Sequence, residues 1–309
     1  MFSPADLVQI PIDDWVNSLV RDFLVPNFRS FFRALQAPVT SVLNWVDAFL
    51  HWLPMLAVTA ILTVIADRTA GRGVAIFTLL ALSFIDMTGL WPETMTTLSM
   101  VITSVLFCAV MGIPLGIWAA RSDRVLFVMR PILDIMQTIP SFVYLVPIVM
   151  LFGVGMVPGI IATIIFALPP IVRLTNLGIR NVRADLIEAA EAFGSTGWQM
   201  LWEVQIPLAL RTIMAGLNQT LMLALSMVVI AALIGAGGLG LTVYTGLGRL
   251  NVGAATAGGI GIVLLAIILD RITQALGEKN SETAPSLWQT LCSLFSWGLE
   301  AKQEKDKTA

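Results

Sequence analysis

Seven apolar runs dominate this chain, at roughly 49–66, 74–91, 96–118, 140–155, 157–173, 213–236 and 252–270, and almost no charge interrupts them. Segments of this kind have one stable solution away from water. An α-helix satisfies its own backbone N–H and C=O groups, and eighteen helical residues reach about 27 Å, enough to cross a bilayer core with little tilt. Composition closes off the soluble alternative. Of 309 residues 57% are hydrophobic and only 12% charged, with a mean hydropathy of +0.86. A soluble domain carries about twice that charged fraction, and a water-soluble core of this size cannot hide so much apolar surface. The predicted class is therefore an all-α membrane protein of about seven spans. An ordinary cytosolic enzyme, a disulfide scaffold and a nucleic-acid-binding domain are excluded, the last because 18 Lys and Arg face 20 Asp and Glu.

The first 48 residues lack the basic-then-apolar order of a signal peptide. They read as amphipathic pieces. Trp15, Leu19 and Phe23 share a helical face, Pro26 interrupts, and Phe28, Phe31, Phe32 and Leu35 repeat the pattern. Val39, Val42, Val46 and Phe49 continue it after Pro38. Such helices suit the membrane surface or the outer ends of the spans equally well. The fourth and fifth runs are parted only by Gly153, Gly155 and Pro158, and Pro169–Pro170 is expected to break the fifth near its end. Trp52, Trp91 and Trp118 stand at run ends, where indoles favour the headgroup layer.

Seven spans place the termini on opposite sides. Fourteen of the 18 cations then fall on one side, including Arg68, Arg72, Arg121, Arg124, Arg130, Arg173, Arg180, Arg183, Arg211 and Arg271. Only Arg21, Arg29, Arg33 and Arg249 fall on the other. The basic side is the cytoplasmic one, so the expected topology has the N-terminus outside and the C-terminus in the cytoplasm. In the tail, Leu287, Leu291, Leu294, Phe295 and Gly298 mark one helical face, read as a short interfacial helix, with a partner-docking helix or disorder as alternatives.

Catalytic chemistry finds no foothold. No loop reads Gly-x4-Gly-Lys-Ser/Thr, so the chain has no P-loop for ATP. The glycine cluster from Gly235 to Gly240 follows an apolar run without strand context and reads as helix termination and a tight turn. His51 is the single histidine and builds neither a catalytic triad nor a zinc site, and Cys108 and Cys292 make no framework. Asp86 lies about a turn and a half from Trp91, and Asp270 with Arg271 ends the last run. None of these is placed at mid-membrane, which suits a path for a neutral or zwitterionic solute rather than an ion-coupled one.

The informative segment is the basic-side loop. Asp185-Leu-Ile-Glu-Ala-Ala-Glu-Ala-Phe-Gly194 predicts a short helix of strong formers, with acidic residues toward its N-terminus and Gly194 as the left-handed stop. Ser195 or Thr196 can cap a second helix through Trp198, Leu201 and Trp202, which Pro207 is expected to end. Phe193 at the sharp turn would be an exposed knob, which calls for a partner with a matching pocket; the bland alternative is an amphipathic loop lying on the membrane.

Glu188-Ala189-Ala190, then Gly194, then Val204-x-Ile206-Pro207 resembles the EAA loop of ABC-importer permeases, with Val204 and Ile206 as conservative departures. Leu133 to Pro140, Phe142 to Pro147, Thr163 to Pro170, Asn218 to Met227 and Ala266 to Arg271 are similar to the permeases of glycine betaine/proline betaine importers. The likeness runs from about 95 to 277, is looser over 1–94 and does not reach the tail after 278. The apolar pattern gives an amphipathic segment 1–48 and two accessory spans in 49–94, and the resemblance implies a type I importer core of five spans in 95–277 with its EAA loop at 183–212. It further implies a homodimer in the bacterial inner membrane, two cytosolic ATPase subunits docked through Glu188, Ala189, Ala190, Phe193 and Gly194, and an extracytoplasmic binding protein. This chain would then hold no cofactor of its own, ATP and magnesium being bound by the ATPase.

Quaternary ammonium groups are held by aromatic cages through cation–π attraction. The family places that cage mainly on the binding protein, and Trp118, Tyr144 and Tyr244 are the candidates for an aromatic lining here. Other readings are a permease for choline, carnitine, trimethylamine oxide or an amino acid, a secondary carrier or channel, and a membrane-embedded enzyme or scaffold.

Overall fold

A computed structural model of the protein describes residues 24–279, together with Asp14, Trp15, Ser18 and Asp22 ahead of them. Every regular element among these residues is helical, in keeping with lipid as solvent, where no strand edge can be left open. The order is α1 (Val25–Trp52), α2 (Met55–Ala70), α3 (Arg72–Met87), α4 (Trp91–Arg121) and α5 (Asp123–Thr138), then a 3-10 turn (Ser141–Tyr144) and α6 (Leu145–Phe152). Next come α7 (Met156–Arg180), α8 (Ala184–Ala192), α9 (Gly197–Ile234), α10 (Leu239–Gly248) and α11 (Val252–Lys279). Leu19, Phe23 and the expected tail helix lie outside the described residues.

The helices α4, α7, α9 and α11 are each long and apolar enough to cross a membrane unaided. Two of the other expected spans are bent. The run 49–66 is divided at Leu53–Pro54, so its first residues finish α1, and Ser30–Trp52 stands at 104° to Met55–Ala70. The run 140–155 is only the second arm of a broken element, because Asp123–Thr138 meets Ser141–Phe152 at 102°. Both joints have one cause. A proline ring excludes its predecessor from the α region, and Leu53 before Pro54 and Ile139 before Pro140 have ψ of 131° and 126°. Counting each bent pair as one crossing gives six, and the 16-residue α3 is the short remaining run, about 24 Å long.

Other prolines do not stop their helices. Pro38 lies inside α1, and the expected break at Pro169–Pro170 is absent, since α7 runs on to Arg180 with both prolines buried. Close packing between α4 and α9 holds this backbone helical despite the lost hydrogen bonds. Small residues allow the approach. A Cβ at Gly116 of α4 would lie 2.5 Å from Thr175 Cβ and 2.8 Å from the Val172 carbonyl of α7. On the other flank, a Cβ at Gly216 of α9 would meet Leu174 Cβ at 3.0 Å. Without a hydrophobic drive between helices in lipid, such close backbone packing carries much of the stability. Gly116→Val is expected to destabilise the bundle by at least the 1–3 kcal/mol typical of overpacking, read as a lower melting temperature in detergent. Gly73→Ala is the control, because no atom lies within 4 Å of that position.

The N-terminal helix α1 packs its Val39, Leu43 and Leu50 face onto the ends of the spans. Gln36 Nε2 donates to the Phe152 carbonyl at 2.8 Å, the Phe32 and Phe152 rings meet edge to face at 5.3 Å, and Ser99 Oγ donates to Asp47 at 2.8 Å. Packing on the spans is thus the role seen, while Trp45 and Trp52 on other faces of α1 remain exposed.

The two ends of the bundle differ in charge. Arg180 binds Asp123 and the Ala119 carbonyl, Arg121 binds the Gly197 carbonyl, and Arg211 lines a cavity with Gln274 and Gly277. Arg68 and Arg72 flank the Gly71 hairpin, whose neighbours Ala66 and Ala75 share a buried cluster with Ile268 and Ile272 beside Arg271. All these arginines collect at one end. At the other, Gly155 N–H donates to the Ile234 carbonyl at 2.9 Å and Leu239 N–H to Thr97 Oγ1 at 2.8 Å. There Gly235 and Gly238 take positive φ of 79° and 78°, the tight turn expected of the glycine cluster.

Candidate functional site

At the basic end α7 gives way to a helix–turn–helix. Arg183 caps no helix by side chain but pairs with Asp185 in the first turn of α8, Nε to Oδ1 at 3.0 Å. The hydrogen bond from that guanidinium holds the Asp185 carboxyl below the usual carboxylate range, and the same bond raises Arg183. A negative charge therefore persists at the N-terminus of α8, where the helix dipole favours it.

The turn after α8 is specified atom by atom. Gly194 N–H donates to the Glu191 carbonyl at 2.9 Å and Ser195 N–H to the Ala190 carbonyl at 3.1 Å, the paired bonds of a Schellman motif. Gly194 has φ of 83°, which an L side chain tolerates poorly. Of the two possible caps, Thr196 is the one used. Its hydroxyl accepts from Gln199 N–H at 3.4 Å, while Gln199 Oε1 accepts from Thr196 N–H at 2.9 Å. That reciprocal pair is a capping box.

The second helix does not end at Pro207. It continues as α9 to Ile234, 38 residues in all, so loop and span are one rod. The reason lies in the turn before the proline. Met200–Gln205 is π-helical, and its wider spacing takes up the place of the N–H that Pro207 lacks and of the carbonyl its ring would strike. Arg121 and Arg180 tie both arms of the loop to the end of α4.

The loop thus brings the five expected docking residues together. Glu188 and Ala189 are exposed on α8, Ala190 is half-buried, and Phe193 at the turn is 92% exposed. A phenyl ring so exposed, on a backbone so fully specified, is a rigid knob without a cover in the protomer.

The three aromatic candidates for a solute lining are not gathered. Trp118 lies one turn from Arg121 at the basic end of α4, whereas Tyr244 lies on α10, tied through Leu239 to Thr97 near the opposite end. About 30 Å of α4 separates those levels. Tyr144 donates its hydroxyl to the Met136 carbonyl at 2.7 Å and so clamps the α5–α6 joint. Two cavities near the basic end contain none of the three. One of about 340 Å³ lies between α5 and α7 beside the Asp134–Arg173 pair at 2.5 Å, and one of about 280 Å³ lies between α9 and α11.

Sequence reasoning missed a polar lock between α9 and α11. Asn218 Nδ2 donates to Asp270 at 2.9 Å, Thr273 Oγ1 donates to Asn218 Oδ1 at 2.5 Å, and Gln274 donates to both Asp270 oxygens. The signal was the polar trio Asp270, Thr273 and Gln274 at i, i+3 and i+4, facing one Asn in an apolar helix. Asn218→Ala leaves the carboxylate short of a partner and is expected to cost about 1–3 kcal/mol. A melting curve of the purified chain would show it, and an unchanged midpoint would mean the lock is not stabilising.

A helical bundle with several membrane-crossing helices and an exposed helix–turn–helix on its basic end has the form of a membrane permease. The family profile "Binding-protein-dependent transport system inner membrane component" matches residues 112–281, which include the loop, α9 and α11. The "Glycine betaine/proline betaine transport system permease protein ProW" of Escherichia coli (strain K12) is 52% identical over 290 residues, 94% of this chain and 82% of that protein. The "Glycine betaine transport system permease protein OpuAB" of Bacillus subtilis (strain 168) is 46% identical over 274 residues, 89% of this chain and 97% of that protein. Among solved structures, an inward-facing MetNI methionine ABC transporter chain superposes with a TM-score of 0.54 at 25% identity, covering 62% of this chain and 94% of that one. The chain belongs to the family of binding-protein-dependent transport system inner membrane components, as a multi-pass permease.

Proposed function

We propose that this chain is the non-catalytic permease subunit of an ATP-driven importer for glycine betaine, proline betaine or a similar quaternary amine. The observation that carries the coupling half of this reading is the rigid turn bearing Phe193, continuous with the span α9. The solute rests on the relatives named for glycine betaine at 46–53% identity. Proteins named for trimethylamine N-oxide transport are more distant, at 37–38%.

Two copies of the chain form the pathway, with the basic end in the cytoplasm. The N-terminus then lies outside and the C-terminus inside. One ATPase subunit, holding ATP and magnesium, docks on each Phe193 turn, and an extracytoplasmic binding protein supplies solute at the other face. The accessory elements before about residue 95 pack on the outside of a core formed by α4 to α11. Nucleotide binding draws the two loops together. Because the second arm of each loop is the first turn of α9, the displacement reaches the span along one continuous helix. The ATPase thereby biases a two-state bundle by its different affinity for the two arrangements.

The test is uptake of labelled glycine betaine into proteoliposomes holding this chain, its ATPase and its binding protein. Uptake that requires hydrolysable ATP is expected. Undiminished uptake with a non-hydrolysable analogue would contradict the reading, and ATP-dependent uptake of another solute alone would correct the substrate.

A further inference from the structure

Three large aromatic side chains at the basic end, Trp118 on α4 and Trp198 and Trp202 on the second arm of the loop, are left exposed. Trp118 is 60% exposed, Trp198 64% and Trp202 50%. Trp118 belongs to a stripe of exposed residues on α4, Met111, Pro114, Trp118 and Arg121, turned away from the Gly112, Gly116 and Ala119 face buried on α7. At the end of this stripe Arg121 donates to the Gly197 carbonyl, which fixes the first turn of α9 beside it. Trp198 follows Gly197 directly, and the Trp202 ring lies 5.6 Å from it, tilted by 58°. One arginine thus ties the Trp118 end of α4 to the turn of α9 that carries Trp198 and Trp202.

Their depth is set by α4. This helix crosses the membrane with Trp91 at one end and Trp118 near the other. Along an α-helix that interval is about 40 Å, close to the thickness of a bilayer with its headgroup layers. Indoles prefer that layer because the ring is apolar and the N–H seeks a polar partner. Exposed Arg121 and Arg124 at the same level match anionic phosphate.

We propose that Trp118, Trp198 and Trp202 form an indole anchor seated in the headgroup layer of the bilayer, which fixes the depth of the α8 loop. The lipid surface, rather than a second copy of the chain or the ATPase, covers this patch. The stripe on α4 is the continuation of a lipid-crossing helix, and Phe193 presents a separate knob beyond it. Held at this depth, α9 turns a push on the loop into movement of the span.

Tryptophan emission from the full-length chain in liposomes, with and without bound ATPase, tests this. Subtracting the spectra of Trp118→Phe, Trp198→Phe and Trp202→Phe isolates each indole from the rest of the 9 tryptophans. A headgroup nitroxide is expected to remove most of each difference signal, while bromines near the chain ends and aqueous iodide remove little, and ATPase binding changes none of this. Difference signals reached by no lipid probe would mean a second copy covers the indoles. Signals quenched by iodide, or shielded from lipid only when ATPase is bound, would equally overturn the proposal. The three single variants are read separately, so loss of one to misfolding leaves two tests.

Discussion

Phe193→Ala is expected to leave the stability of the permease unchanged and to weaken ATPase capture by about 30- to 1000-fold, the 2–4 kcal/mol of an aromatic anchor. The two halves of this expectation have different physical origins. At 92% exposure the ring contributes almost nothing to the protomer's own packing, so truncation stays within about 0.5 kcal/mol of the parent in melting experiments. In the complex the same ring is the largest apolar group that the turn can insert into a partner. Co-purification and a binding isotherm with the ATPase give the affinity, and detergent melting gives the stability. A variant that both binds normally and supports full uptake would mean that the partner grips the loop elsewhere, through Glu188 or the exposed face of α8.

Gly194→Val is expected to lower coupled transport more than tenfold while the chain still inserts into the membrane. No atom lies within 4 Å of the position where a Cβ would be built, so sterics of the surroundings are not the cause. The backbone is. A φ of 83° costs an L-residue about 1–2 kcal/mol, and a β-branched one more, so the turn reopens to relieve it. Reopening breaks the Gly194–Glu191 and Ser195–Ala190 bonds that aim Phe193. Gly194→Asn separates strain from bulk, because Asn tolerates the left-handed region and should retain most of the activity. The measurement is the ratio of solute moved to ATP hydrolysed. If valine and asparagine gave equal ratios, the turn geometry would not govern coupling.

The helix–turn–helix after α7 was legible in the sequence because its determinants are local. A capping threonine, a glutamine three residues on and a glycine after a run of good helix formers act within two turns of chain. The same locality misled at the prolines. Pro207 reads as a helix stop, yet the π turn at Met200–Gln205 accommodates it, and no single residue in that stretch announces a π turn. Pro169 and Pro170 read as a break, yet α4 and α9 hold α7 helical on both sides. Before Pro54 and Pro140 the proline rule held, and the chain bends there. Hydropathy runs located those segments without showing the bends, because apolar content does not depend on direction. The Asn218–Asp270 lock was harder to read for another reason: Asp270, Thr273 and Gln274 mark one polar face, but Asn218 is far away in sequence and meets them only once α9 and α11 are packed.

The docking of an ATPase on the Phe193 turn can be tested by a single covalent experiment. With Cys108 and Cys292 replaced by serine, Ala192→Cys, exposed beside an intact Phe193, carries a photoreactive maleimide in the complete importer in membranes. Illumination is expected to join this chain to the ATPase in high yield, with the adduct enriched when nucleotide is bound. Labelled complexes that transport solute but crosslink only to lipid, or to nothing, would show that the turn is not where ATP hydrolysis is received.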